Sequence, residues 1–401
     1  MKLSKSIELI ILCWLVYTSS YIGRLSYNAN IIQIREYFNV SYSETELVST
    51  FFFFVYGFGQ IVNGLLCKKY NVKYTIFTCL IISSLMNFLL ININNFNLIK
   101  YLWLINGASM SFLWTSLIRI LSECLDKKDI NKAVVIMGTT VAIGTFFVYG
   151  LSSIFNYLNN FKLIFYVASI LLIIVAIIWI IRFNYLVNSL KENIIKEEKE
   201  IRKVNNKGII VLILTFSIYA ISNNFIKDGL TNWTPSILDY IYHTEDWLSI
   251  LLTLTLPLFA VFGTALATLL HKKIKDFNFL CVVLFLISSI FLSLVVIFIN
   301  SNALVITLIS FAFTACLMAS VNNVITSMLP LHMKDKYNSG LLAGVLNGFC
   351  YIGSTFSTYG LGLIADKFNW NVVLYTLLIT SLIVLLIGFI NLIINKKIKH
   401  S

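Results

Sequence analysis

Long apolar stretches separated by short polar segments run along the chain from one end to the other. An apolar stretch of about 17 to 25 residues is long enough to cross a bilayer as a helix. Such stretches occur at residues 7–32, 45–67, 74–93, 101–122, 133–156, 163–183, 209–232, 247–270, 277–299, 303–329, 340–364 and 371–394. The pattern therefore predicts an all-α membrane protein with twelve transmembrane helices.

One polar segment, NSLKENIIKEEKEIRKVNNK at residues 188–207, is longer than the others and leaves six spans on each side. Its mixed charges and helix-forming residues are typical of a solvated, partly helical linker. We predict two pseudo-symmetric six-helix bundles joined by a cytoplasmic linker, with the N-terminal bundle at 1–184, the linker at 185–207 and the C-terminal bundle at 208–401.

Arg24 interrupts the first apolar stretch far from its charged flanks. At a rise of roughly 1.5 Å per residue it lies ~24 Å beyond Glu8 and ~17 Å short of Arg35, which is bilayer depth. A guanidinium at this depth costs at least a few kcal/mol, so Arg24 indicates a functional site. The alternatives are that it snorkels to the interface or that an acidic residue neutralises it.

A shift of about 203 positions carries Arg24 onto Lys227, and helix lengths and other charged positions repeat with the same offset. In transporters built from two such halves, the substrate lies at the midplane between them. Two cations at equivalent places repel each other, and an anionic phosphate or carboxylate between them satisfies both. The alternative is that the neighbouring Asp228 neutralises Lys227.

Composition and charge agree with a membrane location. The chain has 58% hydrophobic and only 12% charged residues, a balance that soluble domains do not show. About 23 of its 30 basic residues fall on one side of the predicted topology, which the positive-inside rule assigns to the cytoplasm together with both termini. The net charge of +12 then reflects orientation, and no nucleic-acid partner is expected. The abundance of Ile, Asn and Lys favours a bacterial cytoplasmic membrane.

The cysteines and histidines do not form a recognisable catalytic or metal-binding pattern. The seven cysteines lie in or at the ends of apolar stretches without a CxxC pair, and the four histidines fall in loops or tails. Buried cysteines of this kind act as small apolar packing residues. We expect a monomeric protein that is not an enzyme and has neither a cofactor nor a metal.

Six motifs occur in chain order that together resemble one transporter family. They are YTSSYIGRLSY (17–27), VYGFGQIVNGLLCKKYNVK (55–73), NGASMSFLWTSLIR (106–119), FIKDGLTNWTPSIL (225–238), GLLAGVLNGFCYIG (340–353) and GLIADKFNW (362–370). They resemble the organophosphate:phosphate antiporters of the major facilitator superfamily, which include glycerol phosphate and hexose phosphate transporters. The resemblance implies the major-facilitator fold and alternating-access transport of an organophosphate in exchange for inorganic phosphate.

The resemblance also implies a set of substrate-binding residues. In the first span, two tyrosines and an arginine match the family pattern, and their i, i+4 and i+7 spacing puts them near one helix face. The predicted substrate-binding residues are Arg24, Lys227, Tyr17, Tyr21, Tyr56, Gln60, Trp114 and Tyr351. The alternative for the aromatic residues is a place in the interfacial belt or in helix packing.

Departures from the family pattern affect the substrate. Gln60 stands where many members carry a lysine, Val141 stands where a histidine helps to bind phosphate, and Lys227 replaces an arginine. A site with fewer cations favours a less highly charged anion, so carboxylates remain open. Two other functions also remain open: a cation-coupled carboxylate symporter, and a transporter-like membrane sensor of sugar phosphate.

Two further expectations concern helix structure. Arg119 lies one turn before Glu123, so the two residues can pair, and we interpret Arg119 as a structural or gating residue. Small residues let transmembrane helices approach closely. We expect that role at Gly138, Gly144, Gly344 and Gly348.

Overall fold

A computed structural model of the chain describes residues 4–66, 70–191, 206–301, 303–333 and 339–400, and these residues form helices without a strand. In chain order the helices are α1 (Lys5–Leu25), α2 (Ile31–Phe38), α3 (Tyr42–Leu66), α4 (Val72–Asn92), α5 (Phe96–Met110), α6 (Leu113–Cys124), α7 (Lys127–Gly138), α8 (Thr140–Tyr157), α9 (Leu163–Lys191), α10 (Asn206–Tyr242), α11 (Asp246–Thr253), α12 (Thr255–Lys273), α13 (Phe277–Phe298), α14 (Leu304–Asn323), α15 (Leu329–His332), α16 (Ser339–Lys367) and α17 (Trp370–His400).

Ten stretches of the described chain are long and apolar enough to cross a membrane. Two more helices, α10 and α16, have 37 and 29 residues and are long enough to cross as well. Both contain polar residues within an apolar sequence: α10 carries asparagines and the Lys227–Asp228 pair, and α16 is rich in Gly, Ser and Thr. Together these make twelve helical segments, in agreement with the twelve predicted spans.

Proline explains two interruptions that the apolar pattern does not predict. Proline lacks a backbone N–H and its ring disturbs the carbonyl group four residues earlier. Pro257 follows the break at Leu254 that separates α11 from α12. Pro330 follows a π-helical turn, Val324–Met328, between α14 and α15. By contrast, Pro235 lies inside α10, and the helix continues through it.

Hydroxyl side chains mark two other interruptions. The predicted span at 101–122 divides around Ser111, whose hydroxyl donates to the carbonyl oxygen of Ala108 at 2.7 Å. The predicted span at 133–156 divides at Thr139, whose hydroxyl donates to the carbonyl oxygen of Ile136 at 2.7 Å. Such bonds to the preceding turn compete with the helix ladder and favour a break.

Contacts between helices divide the chain into two compact units. The first comprises Met1–Asn30 and Phe51–Glu200, and in its described part α1 packs against α8 and α9 while α4 packs against α9. A Cβ atom at Gly144 would lie 2.6 Å from the Cβ atom of Tyr21, so the expected close approach of α8 to α1 occurs there. No described atom lies within 4 Å of a Cβ atom at Gly138 or Gly344, so the expectation stays a prediction at these two positions.

The second unit comprises Ile31–Thr50 and Ile201–Ser401. In its described part α10 packs along α16, and α13 packs against α14 and α17. The unit also contains α2 and the first turns of α3, because the Asp366 carboxylate at the end of α16 accepts the backbone N–H groups of Tyr42 and Ser43, at 2.9 and 2.8 Å. The predicted boundaries at 184 and 208 stay a prediction, and most of the predicted linker lies outside the described residues.

Candidate substrate site around Arg24

The end of α1 is held by a network of amide side chains on both sides of Arg24. Asn87 and Asn106 donate to the carbonyl oxygen of Gly23, at 2.8 and 3.2 Å. Ser26 donates to the amide oxygen of Asn87 at 2.9 Å. The last carbonyl groups of a helix lack partners within the helix, and an unsatisfied one is expensive inside a membrane. The network therefore allows α1 to end at bilayer depth and fixes the backbone that carries Arg24.

The guanidinium of Arg24 is buried among aromatic rings. Its side chain is 7% exposed, and its central carbon lies 4.8 Å from the ring centroids of Tyr21 and Tyr56 and 5.5 Å from those of Phe52 and Phe53. A cation over an aromatic face gains about 0.5 to 2 kcal/mol, with the larger value where water is excluded. Because the side chain is enclosed by these rings, the snorkelling alternative is not supported.

The other aromatic residues predicted for the first unit join the same cluster. The ring of Tyr17 lies 5.5 Å from that of Tyr21 and 4.7 Å from that of Trp114. The hydroxyl oxygens of Tyr17 and Tyr56 are 3.4 Å apart. Gln60, one turn beyond Tyr56 on α3, is buried as well. Arg24, three tyrosines and a tryptophan thus form one buried cluster, here called the aromatic pocket, that contains a guanidinium and hydroxyl groups.

Some residues of this pocket were not predicted from the sequence. In the sequence Phe52 and Phe53 are ordinary apolar residues of a span. They lie four and three residues before Tyr56, respectively, which places them on the same helix face as Tyr56. The sequence indicates a buried polar contact more clearly at Asn87 and Asn106, since each is an amide in the middle of an apolar stretch. Val141, which the resemblance to the antiporters places at the position of a phosphate-binding histidine, is 42% exposed and offers no polar group.

In the second unit Lys227 is paired with its neighbour in the chain. Its ammonium nitrogen lies 3.2 Å from Oδ1 of Asp228. Asn224 donates to Oδ2 of Asp228 at 3.2 Å, and Ser354 on α16 also donates to that oxygen. The expectation of an unmatched cation at Lys227 is therefore wrong. Adjacent side chains leave a helix about 100° apart, but a long lysine side chain can turn back to its neighbour.

The structure also shows the surroundings of two other residues that the sequence analysis singled out, Tyr351 and Arg119. Tyr351 lies on α16, is 8% exposed and comes three residues before Ser354, which donates to Asp228. Tyr351 is therefore close in the chain to the polar cluster of the second unit. Arg119 donates through Nε to Glu123 at 2.7 Å, which confirms the predicted pairing and supports a structural role.

The twelve membrane-length helical segments of the described chain indicate a polytopic membrane protein. The chain belongs to the Major Facilitator Superfamily, whose sequence profile matches residues 13–339. It is therefore an integral, multi-pass membrane protein and a secondary transporter of small molecules by alternating access, rather than an enzyme. The predicted all-α class and major-facilitator fold are confirmed.

Solved structures of other transporters share this fold. A bacterial homolog of the human lysosomal transporter Spinster, in an inward-facing and occupied conformation, superposes with a TM-score of 0.77 at 15% identity over 97% of both chains. The nucleoside transporter NupG gives a TM-score of 0.70 at 11% identity over 96% of this chain and 99% of its own. Comparison with curated protein sequences gives no significant match. At these identities the likeness concerns the fold alone.

Proposed function

We propose that this transporter moves a small organic anion and that Arg24 binds it. The observation that carries the proposal is the buried guanidinium inside the aromatic pocket, next to the facing hydroxyl groups of Tyr17 and Tyr56. A guanidinium presents a planar fork of donors that matches the oxygens of a carboxylate or a phosphate. The surrounding rings keep water away, which strengthens such a charge-assisted bond.

The six family motifs support an organophosphate, such as a sugar phosphate or glycerol phosphate, exchanged for inorganic phosphate. Binding of the anion offsets the charge of Arg24 and favours closure around the substrate. Gln60, Trp114, Tyr351 and Lys227 complete the proposed set of binding residues. The charge distribution supports a cytoplasmic location of both termini. We further propose that the protein is a monomer in a bacterial cytoplasmic membrane.

One observation favours a second candidate, a cation-coupled symporter of carboxylates. Lys227 is already matched by Asp228 at 3.2 Å, and Val141 replaces a basic residue of the antiporter pattern. A monocarboxylate carries less charge than a phosphate monoester and needs fewer cations in its site. Transport that depends on a cation gradient, and not on phosphate on the opposite side, distinguishes this function from exchange.

Thermal unfolding of the purified protein with different anions tests the proposal. Inorganic phosphate, glycerol phosphate, a hexose phosphate and lactate are added separately, and a ligand at a hundred times its Kd stabilises the folded state by about 2.7 kcal/mol. We expect Arg24→Lys to lose most of this stabilisation because the ammonium group lacks the bidentate fork. Arg119→Lys is the matched control and keeps it. If Arg24→Ala responds to the same anion as fully as the parent does, Arg24 does not bind it.

A further inference from the structure

Glu46 is a buried carboxyl group that the proposed anion site does not use. It lies near the start of α3, within Ile31–Thr50 of the second unit, and 0% of its surface is exposed. From the sequence it is one of two glutamates in the polar beginning of a span. The structure separates the two, because Glu44 is exposed and accepts hydrogen bonds from Ser41.

The contact between α3 and α16 encloses this carboxyl group. Ser43, Glu46 and Thr50 follow the i, i+3, i+7 spacing of one helix face. Ser43 meets α16 at Gly362, where a Cβ atom would lie 3.2 Å from the Cα atom of Ser43. Thr50 meets the same helix one turn away, with its hydroxyl 2.8 Å from that of Thr358. Glu46 therefore lies between two points at which the helices touch.

Neither carboxyl oxygen of Glu46 has a hydrogen-bond partner in the described part of the chain, although the Ser49 hydroxyl lies beside the group. Charged groups on the surrounding elements interact with other partners. Asp366 accepts from the backbone of Tyr42 and Ser43, and Arg35 contacts Tyr42 and Glu36. Lys227 pairs with Asp228, and Glu44 accepts from Ser41. A buried carboxylate without a matching charge is far more costly than a neutral carboxylic acid.

We propose that Glu46 is a proton-binding site. Its carboxyl group holds a proton while Ile31–Thr50 packs against α16, and it releases the proton when this contact opens to water. Since the open form then binds one proton fewer, a rise in pH favours opening and a fall in pH favours the packed contact. The proposal rests on the alternating-access function, because that function requires helices to rearrange in each cycle.

Thiol labelling of full-length protein in detergent tests this site. Thr50 is half-buried at its contact with Thr358, so a cysteine at this position is expected to react faster with a maleimide when the contact opens. The labelling rate is compared between the Thr50→Cys protein and the same protein with Glu46→Gln, so that the pH dependence of the thiol itself cancels in the ratio. Protein without the added cysteine supplies the background.

We expect the parent to label progressively faster than the Glu46→Gln protein as the pH rises, by up to about tenfold per pH unit because one proton is released. The parent is likewise expected to label progressively faster than the Glu46→Leu protein as the pH rises. Glu44→Gln removes an exposed carboxyl group on the same turn. The Glu44→Gln protein is expected to label at about the same rate as the parent at every pH.

A ratio that does not change with pH overturns the proposal. So does a failure of both Glu46→Gln and Glu46→Leu to fold, because a site that holds a neutral acid accepts neutral replacements of similar size. The labelling requires no anion, so its failure leaves the anion site at Arg24 standing. Conversely, the absence of any anion-induced thermal shift contradicts the anion site and leaves the Glu46 result unaffected.

Discussion

The backbones of α10 and α16 approach closely at Gly353, and this contact provides a quantitative prediction. A Cβ atom at Gly353 would lie 2.0 Å from the carbonyl oxygen of Ile221 and 2.8 Å from its carbonyl carbon. Both are backbone atoms of another helix, so no side-chain rotation relieves the clash. Gly353→Ala must therefore move the two helices apart, next to the hydrogen bond of 3.1 Å between Asn224 and Ser354.

The magnitude follows from two opposing terms. Inserting a methyl group into a packed contact costs about 1 to 3 kcal/mol, and the clash of 2.0 Å against backbone places Gly353→Ala at the upper end. Replacing glycine by alanine inside a helix returns up to about 1 kcal/mol. We expect a net loss of about 2 kcal/mol or more. Gly360→Ala is the matched control on the same helix, because no described atom lies within 4 Å of its Cβ position.

Thermal unfolding in detergent, followed by tryptophan fluorescence at one fixed scan rate, measures both variants. A fixed rate is needed because unfolding of such proteins is often irreversible. With about 2 to 4 °C per kcal/mol for a unit of this size, Gly353→Ala is expected to unfold at least 4 °C below the parent, while Gly360→Ala unfolds at or slightly above it. If Gly353→Ala unfolds together with the control, the close approach of the two helices is wrong.

Two other predictions concern the first unit and the topology. Asn87→Ala removes the bonds to Gly23 and Ser26 and is expected to destabilise the protein by about 2 kcal/mol, measured by the same unfolding assay, and to weaken the anion response. A cysteine at Glu245 is expected to react with an impermeant thiol reagent on intact cells, and one at Lys275 only after the cells are opened. The opposite labelling pattern would invert the proposed orientation.

The sequence alone determined the class of protein and the depth of Arg24 in the first span. Hydrophobic spans are a local property, because each helix must satisfy its own backbone in lipid and must be long enough to cross. The depth of Arg24 follows from helical rise alone, and the spacing of Tyr17 and Tyr21 predicts their common face. These features need no knowledge of what lies beside each helix.

Tertiary structure decided how each charged group is matched. Lys227 and Glu46 are both ionisable residues of a span in the sequence, yet Lys227 has Asp228 at 3.2 Å and Glu46 has no hydrogen-bond partner among the described residues. The rings of Phe52 and Phe53 around Arg24 likewise depend on how α3 packs against α1. Electrostatic and packing energies depend on distances between residues far apart in the chain, and only the packed helices fix those distances.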